Sequence, residues 1–269
     1  MVNPAEPLEQ TRAEIVEVGR RLYARGLVGG AEGNISSRLD QTRVLATPSG
    51  VSKGFLAPES LVITDMAGHR LAGTGRPSSE LKMHLRIYEL RSDVAAIVHA
   101  HPPVATGFAI AGRSLNECVV PEVIATLGWV PIVPYGTPST DELAEQLTPY
   151  VRAHDALLLA NHGAVAYGSS LAVSINVMES LEQAARSLLV AHLLGNVNRL
   201  SREEVDRLMS LGAYGSGVRN PGCAVTDIEP LAQRSYPGGL TIGGVEMRRG
   251  IAEIVRDTLN GETGRAEGV

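Results

Sequence analysis

Three histidines carry the clearest chemical signal in this chain. His99 and His101 fall two apart in DVAAIVHAH (93–101), and His162 ends the apolar run ALLLAN (156–161) and is followed by Gly163 in ALLLANHG (156–163). Residues two apart on a strand project from one face. The two imidazoles are therefore expected side by side among Ala95, Ala96, Ile97 and Val98. Buried polar rings without partners are costly. HAH alone reads as a hydrogen-bonded pair of core histidines or as two ligands of an ion, because neutral imidazole nitrogen binds zinc, manganese or iron. His162, at a second strand end, favours the ion. Three protein ligands with one position open are the pattern of a catalytic zinc, whereas structural sites are closed by four. His69, His84, His154 and His192 read as surface or hydrogen-bonded histidines.

Three short pieces look suited to an anion: Gly33-Asn34, Thr47-Pro48-Ser49-Gly50 and Pro77-Ser78-Ser79-Glu80. Backbone N–H groups at a helix start favour an anion, and serine hydroxyls add donors. Each piece alone also reads as an ordinary turn or cap. Glu80 follows the two serines. Placed between an anion pocket and a metal, it would serve as a general acid/base; otherwise it complements a helix dipole.

Elements to hold these groups can be read along the chain. Leu8, Ile15, Val18 and Leu22 fit one helical face that stops at Gly26. NISSRL, RVLAT, LVITD and HRLAG read as strands, with a hairpin at Met66-Ala67-Gly68. A helix is expected to begin near Ser79, whose hydroxyl can cap it, with Leu81, Leu85 and Tyr88 on one face. DVAAIVHAH and ALLLANHG read as buried strands and WVPIVPY (129–135) as an edge strand. Ser139 and Glu142 have capping-box spacing for a helix through Val151. A long helix is expected over 170–194, another capped by Ser201 and Glu204, and a last one over 244–259. This alternation predicts a layered α/β or α+β domain.

At 269 residues, the chain is long enough to bury a full core. Its net charge of −5 gives no global field for nucleic acid or anionic membrane, so an anionic substrate would need a local pocket. No apolar run reaches the roughly 18 residues of a membrane span. The polar N-terminus is unlike a secretory signal, and a cytoplasmic protein is expected. Cys118 and Cys223 form no CxxC pair and read as free thiols.

In order, GNIS (33–36), TPSG (47–50), PSSE (77–80), HAHPP (99–103) and NHG (161–163) resemble the class II aldolase/adducin family, and within it the L-fuculose-1-phosphate aldolases. The resemblance covers about residues 8–217. It divides the chain into a catalytic domain, 1–217, and a C-terminal extension, 218–269. It implies a three-layer α/β/α domain with a mainly antiparallel central sheet, assembled as a homotetramer with interface active sites. By the same resemblance, His99, His101 and His162 are the ligands of Zn2+, with Mn2+ or another divalent transition metal as the alternative. Glu80 is the acid/base, and Asn34, Ser49, Gly50, Ser78 and Ser79 hold the substrate phosphate. Tyr214 corresponds to a C-terminal tyrosine that closes over a neighbouring subunit's substrate.

Two positions depart from the aldolase pattern. Ala31 replaces a threonine that donates to phosphate, and NECVVPEVIATLGW (116–129) lacks the tyrosine that protonates the aldehyde oxygen, leaving Glu122 as a substitute. The implied activity is reversible cleavage of a ketose 1-phosphate to dihydroxyacetone phosphate and a small aldehyde. A pentulose-phosphate 4-epimerase, a decarboxylase or a dehydratase would use nearly the same ligands. A non-catalytic adducin-like binding protein would lack them.

Overall fold

The computed structural model of the protein describes residues 6–211 and Cys223. Helix α1 (Glu6–Ala24) buries Ile15, Val18 and Leu22 and ends just before Gly26, whose φ of +65° suits glycine. Eight strands follow along the chain: β1 (Asn34–Arg38), β2 (Arg43–Ala46), β3 (Val62–Asp65), β4 (Arg70–Ala72), β5 (Ala96–Ala100), β6 (Ile132–Val133), β7 (Ala156–Leu159) and β8 (Gly163–Gly168). They form one sheet in the order β4-β3-β2-β1-β5-β8-β7-β6. Every pairing is antiparallel except that of β6 with β7.

Consecutive residues of the central strands divide between two cores, as the strand period requires. Leu45, Val98, Leu158 and Ala166 pack with Ile15 and Leu22 of α1, Phe108 of α3 (Pro103–Ile110) and Met178 of α6 (Leu171–Leu194). Their neighbours Val44, Ile97, Leu157 and Val165 pack with Leu85 and Tyr88 of α2 (Leu81–Leu90) and Leu147 of α5 (Asp141–Val151). Covered on both faces, these strands are apolar at nearly every position. The result is the expected three-layer α/β/α domain with a mostly antiparallel sheet. Two shorter helices, α4 (Pro121–Thr126) and α7 (Arg202–Ser210), complete the described chain. No described helix is long and apolar enough to cross a membrane.

Several local expectations are corrected. Helix α2 starts after Glu80, not at Ser79, because the Ser78 hydroxyl accepts the Glu80 N–H (3.3 Å) in a preceding turn. Thr140, not Ser139, precedes α5. Ser139 has φ +69°, outside the extended region a cap residue uses, and Glu142 accepts the Thr137 N–H instead (3.0 Å). The run 156–163 is strand β7 closed by a tight turn at Asn161, φ +56°, as expected, but Gly163 also opens a further strand, β8, that was not expected. Helices α3 and α4 both begin at proline in the first turn, where the missing N–H costs nothing; the sequence reading assigned neither. By contrast, the Ser201–Glu204 capping box forms as expected, with both reciprocal bonds.

Cys118 and Cys223, expected as free thiols, are joined by a disulfide (S–S 2.05 Å, Cα–Cα 5.4 Å). They are 105 residues apart in sequence. What brings them together is a small apolar cluster with Ile124 and Val205, which no spacing rule reveals.

Candidate metal centre and active site

Strand β5 carries His99, and His101 follows just beyond its end. Both rings nevertheless turn to one place, with Nε2 of His99 and Nε2 of His101 3.2 Å apart. The tight turn from β7 to β8 brings in His162, so that one nitrogen from each ring lies within 4.8 Å of the other two. The ring centroids are 4.8–5.0 Å apart.

The supports of each ring are local. His99 is fully buried, and its Nδ1 lies 2.9 Å from the carbonyl oxygen of Ala164. A donor N–H there leaves Nε2 with its lone pair toward the cluster, the tautomer a ligand needs. His101 Nδ1 faces Glu32 Oε2 at 3.3 Å, and the backbone N–H of His101 donates to the Leu27 carbonyl (3.0 Å). Buried Glu182 of α6 accepts the N–H of Ala105 (2.9 Å) and Val104 (3.3 Å), fixing the first turn of α3 just after His101-Pro102. Ser174 of α6 donates to the Ala96 carbonyl (2.9 Å), holding β5 from the same helix.

Glu80 reaches over the cluster from the start of α2. Its Oε2 is 3.3 Å from His99 Nε2, and its Oε1 is 3.0 Å from His162 Nε2. Burial pushes this carboxyl upward, but the charges and hydrogen bonds of His99 and His162 outweigh it and hold the group well below the usual carboxylate range. Burial, with charge on His99 and His162, pushes the His101 imidazole down to about 4. Three imidazole nitrogens beside a carboxylate form a donor set that suits a divalent transition metal. Nδ1 of His162 is buried with no hydrogen-bond partner, so the cluster does not satisfy itself. The donor set fits an ion.

The three anion pieces converge on the same side. Asn34 donates through Nδ2 to Glu80 Oε2 (2.9 Å) and is paired in register with His99. Pro48 bridges to Pro77, and the Ser49 N–H donates to the Arg76 carbonyl (2.8 Å), placing TPSG beside PSSE. Ser49, Gly50 and Ser79 are exposed and Ser78 half-buried. The Ser49 N–H is thus already committed, leaving its hydroxyl as the free donor.

Residues 13–189 match the family described as Class II Aldolase and Adducin N-terminal domain. The chain belongs to this family. It is 37% identical over 176 residues to a 3-oxo-tetronate 4-phosphate decarboxylase of Haemophilus influenzae, spanning 64% of this chain and 83% of that protein. It is 35% identical over 203 residues to a 5-deoxy-D-ribulose 1-phosphate aldolase of Bacillus thuringiensis, spanning 75% and 94%. A solved structure of L-fuculose 1-phosphate aldolase superposes with a TM-score of 0.68 at 31% identity, covering 75% of this chain and 95% of that one.

Tyr214 lies outside the described residues, as do the extension 218–269 (Cys223 excepted) and the helix expected over 244–259. Glu122, on α4, lines a cleft of about 500 Å³ with Arg25, Glu179, Glu182 and Arg186; none of the three histidines borders it. The sequence reading missed Glu32 and Glu182, and also Lys53, a lysine buried just after TPSG. Only the last had a visible signal, a lysine following the anion motif. His84, His154 and His192 are hydrogen-bonded to Ser36, Trp129 and Glu117, and exposed His69 to Asp65.

Proposed function

We propose that the protein is a metal-dependent lyase that breaks a carbon–carbon bond in a phosphorylated ketose, with aldol cleavage of a ketose 1-phosphate as the reaction. One observation carries this reading: the Glu80 carboxylate spans His99 and His162 while receiving Asn34 of the anion loop. A proton-transfer group thus stands between an ion site and a phosphate site.

His99, His101 and His162 would hold the ion, Zn2+ in the first instance and Mn2+ in the second. When bound, it supplies Lewis acidity to the carbonyl and adjacent hydroxyl of the substrate. The chain's own residues do the rest. Asn34, Ser49, Gly50, Ser78 and Ser79 seat the phosphate, remote from the bond that changes, and so fix the register of the carbon chain. Glu80, ionised in the resting site, takes the proton of the C4 hydroxyl as the C3–C4 bond breaks and returns it to C3, so that C4 leaves as the aldehyde and C1–C3 as dihydroxyacetone phosphate.

Decarboxylation of a phosphorylated keto acid is the second reading. The similarity to proteins named 3-oxo-tetronate 4-phosphate decarboxylase favours it, as does the absence of tyrosine in 116–129. Both reactions leave the same kind of carbanion; only the departing fragment differs.

A homotetramer with sites at the interfaces belongs to the same proposal. Exposed Val190, Leu193 and Leu194 on α6 give it an apolar surface to cover, and sedimentation velocity measures the assembly directly.

The deciding experiment incubates the metal-loaded protein with a panel of ketose 1-phosphates and phosphorylated 3-keto acids. Free dihydroxyacetone phosphate is read by a coupled dehydrogenase and carbon dioxide by a coupled carboxylase. Dihydroxyacetone phosphate without carbon dioxide supports the aldolase; carbon dioxide moves the assignment to the decarboxylase. Inversion without release would mark an epimerase. No turnover of any phosphorylated substrate would sink the proposal.

A further inference from the structure

Lys53 is one of two lysines in a chain with 22 arginines, and it is only 1% exposed. Its Nζ donates to the carbonyl oxygens of Ala31 (3.0 Å) and Val51 (2.6 Å). Ala31 stands three residues before Asn34, and Val51 directly follows Gly50. The ammonium therefore ties the glycine-rich loop to the residue that follows TPSG, joining two of the segments assigned to the anion. Its place is rigid: a Cβ on Gly19 of α1 would come within 2.4 Å of the Lys53 carbonyl oxygen, so the helix lies directly on this backbone.

An ammonium has three protons, and two carbonyls accept two of them. Among the described residues no carboxylate pairs with it. Glu80 and Glu32 act on it only from a distance, and burial pushes its pKa down, the mark of a cation removed from water without a counter-ion. A buried, unpaired charge is among the more costly features a fold can carry. The hydroxyl of neighbouring Ser52 is likewise buried without a partner. With a net charge of −5, the protein has no general positive field to draw a phosphate dianion into the site.

We propose that Lys53 supplies the fixed positive charge of the phosphate subsite, and that the substrate's phosphate is the counter-ion the fold itself leaves out. This rests on the reading of the substrate as a sugar phosphate. Lys53 is a binding and positioning residue, remote from proton transfer, so its loss should act on phosphate recognition far more than on the bond-breaking step.

The experiment uses the full metal-loaded chain and two probes, dihydroxyacetone phosphate and unphosphorylated dihydroxyacetone. Lys53→Met is expected to weaken dihydroxyacetone phosphate at least tenfold, leaving dihydroxyacetone and the metal content as in the parent. With a turned-over substrate, KM rises more than kcat falls. Because Lys53→Met removes a buried anchor and its folding is at risk, the parent protein supplies an independent measurement. With isotopically labelled lysine it gives two side-chain signals, Lys53 and exposed Lys82, and inorganic phosphate should shift only the former. Unchanged phosphate-probe affinity in Lys53→Met, or an unmoved Lys53 signal while the parent binds the phosphorylated probe, overturns the role of Lys53 and spares the sugar-phosphate reading. A parent protein that does not prefer the phosphorylated probe overturns both.

Discussion

Glu80 Oε2 lies 3.3 Å from His99 Nε2, although the two residues come from different elements, the turn before α2 and the buried strand β5. A carboxylate held beside the histidine cluster, and not itself one of the three candidate ligands, has the position that the proposed proton carrier needs. Glu80→Gln keeps the shape and removes the charge. The variant is expected to retain one ion per chain by elemental analysis while turnover falls roughly 10²–10⁴-fold, the usual worth of a general acid/base. Full activity would remove Glu80 from the mechanism.

The imidazole cluster makes a complementary prediction. His99→Ala deletes the ligand whose orientation is fixed by the Ala164 carbonyl, and metal content should drop to trace levels with activity lost. In the parent, chelation should lower both activity and Tm, because an ion that binds only the folded state stabilises it. Re-addition of zinc or manganese should restore both. Unchanged metal content in His99→Ala would show that the ion binds elsewhere.

Much of this site is legible in the sequence, for physical reasons that differ residue by residue. His99 and His101 stood out because polar rings inside an apolar run demand a partner. The long helix α6 falls where it was expected, after Ser170, and α7 showed its capping box, because caps are local chemistry. Glu32 and Glu182 were hidden because the partners that give them a role lie far along the chain: Glu32 faces His101, and Glu182 meets Val104 and Ala105 only through helix packing. The β7–β8 reversal was hidden because its signal is a single residue, Asn161, in a left-handed conformation. Cys118 and Cys223 show the same limit, since their proximity is a property of packing.

His84 yields a pH prediction. Burial pushes its imidazole down to about 3 from an ordinary 6.5, with charge on His99 adding to it. The unfolded chain therefore takes up a proton below pH 6.5 that the folded chain refuses. Its neutral burial costs nothing above that value. As pH falls from 6.5 toward 3, stability declines by about 1.4 kcal/mol per unit from this group alone. Urea unfolding of the metal-loaded protein across this window should show a slope about one proton shallower in His84→Asn. Parallel slopes for variant and parent would refute the assignment.

The Cys118–Cys223 bond should be countable. Unfolded, unreduced protein is expected to show no thiol toward a chromogenic disulfide reagent, and two after reduction. Closing a loop of this length restricts the unfolded chain, so Cys118→Ser should lose on the order of 2–4 kcal/mol, read as a lower urea midpoint in the absence of reductant. Two free thiols before reduction would contradict the bond.

Gly163 tests whether the geometry of the cluster matters apart from its composition. A Cβ at this position would lie 2.6 Å from the Ala100 carbonyl oxygen and 2.6 Å from Cδ2 of His101. The carbonyl is part of the β5–β8 ladder and cannot retreat without breaking it, so the His101 ring must move. That ring meets His99 at 3.2 Å, nitrogen to nitrogen, and a displacement of a few tenths of an ångström spoils the common centre. Gly163→Ala keeps all three ligands and Glu80, yet should weaken metal binding roughly 10–100-fold, comparable to losing a residue that orients a ligand. Competition with a chelator of known affinity measures it, and circular dichroism checks that the sheet survives. An affinity equal to the parent's would mean that His101 does not bind the ion from the position seen here.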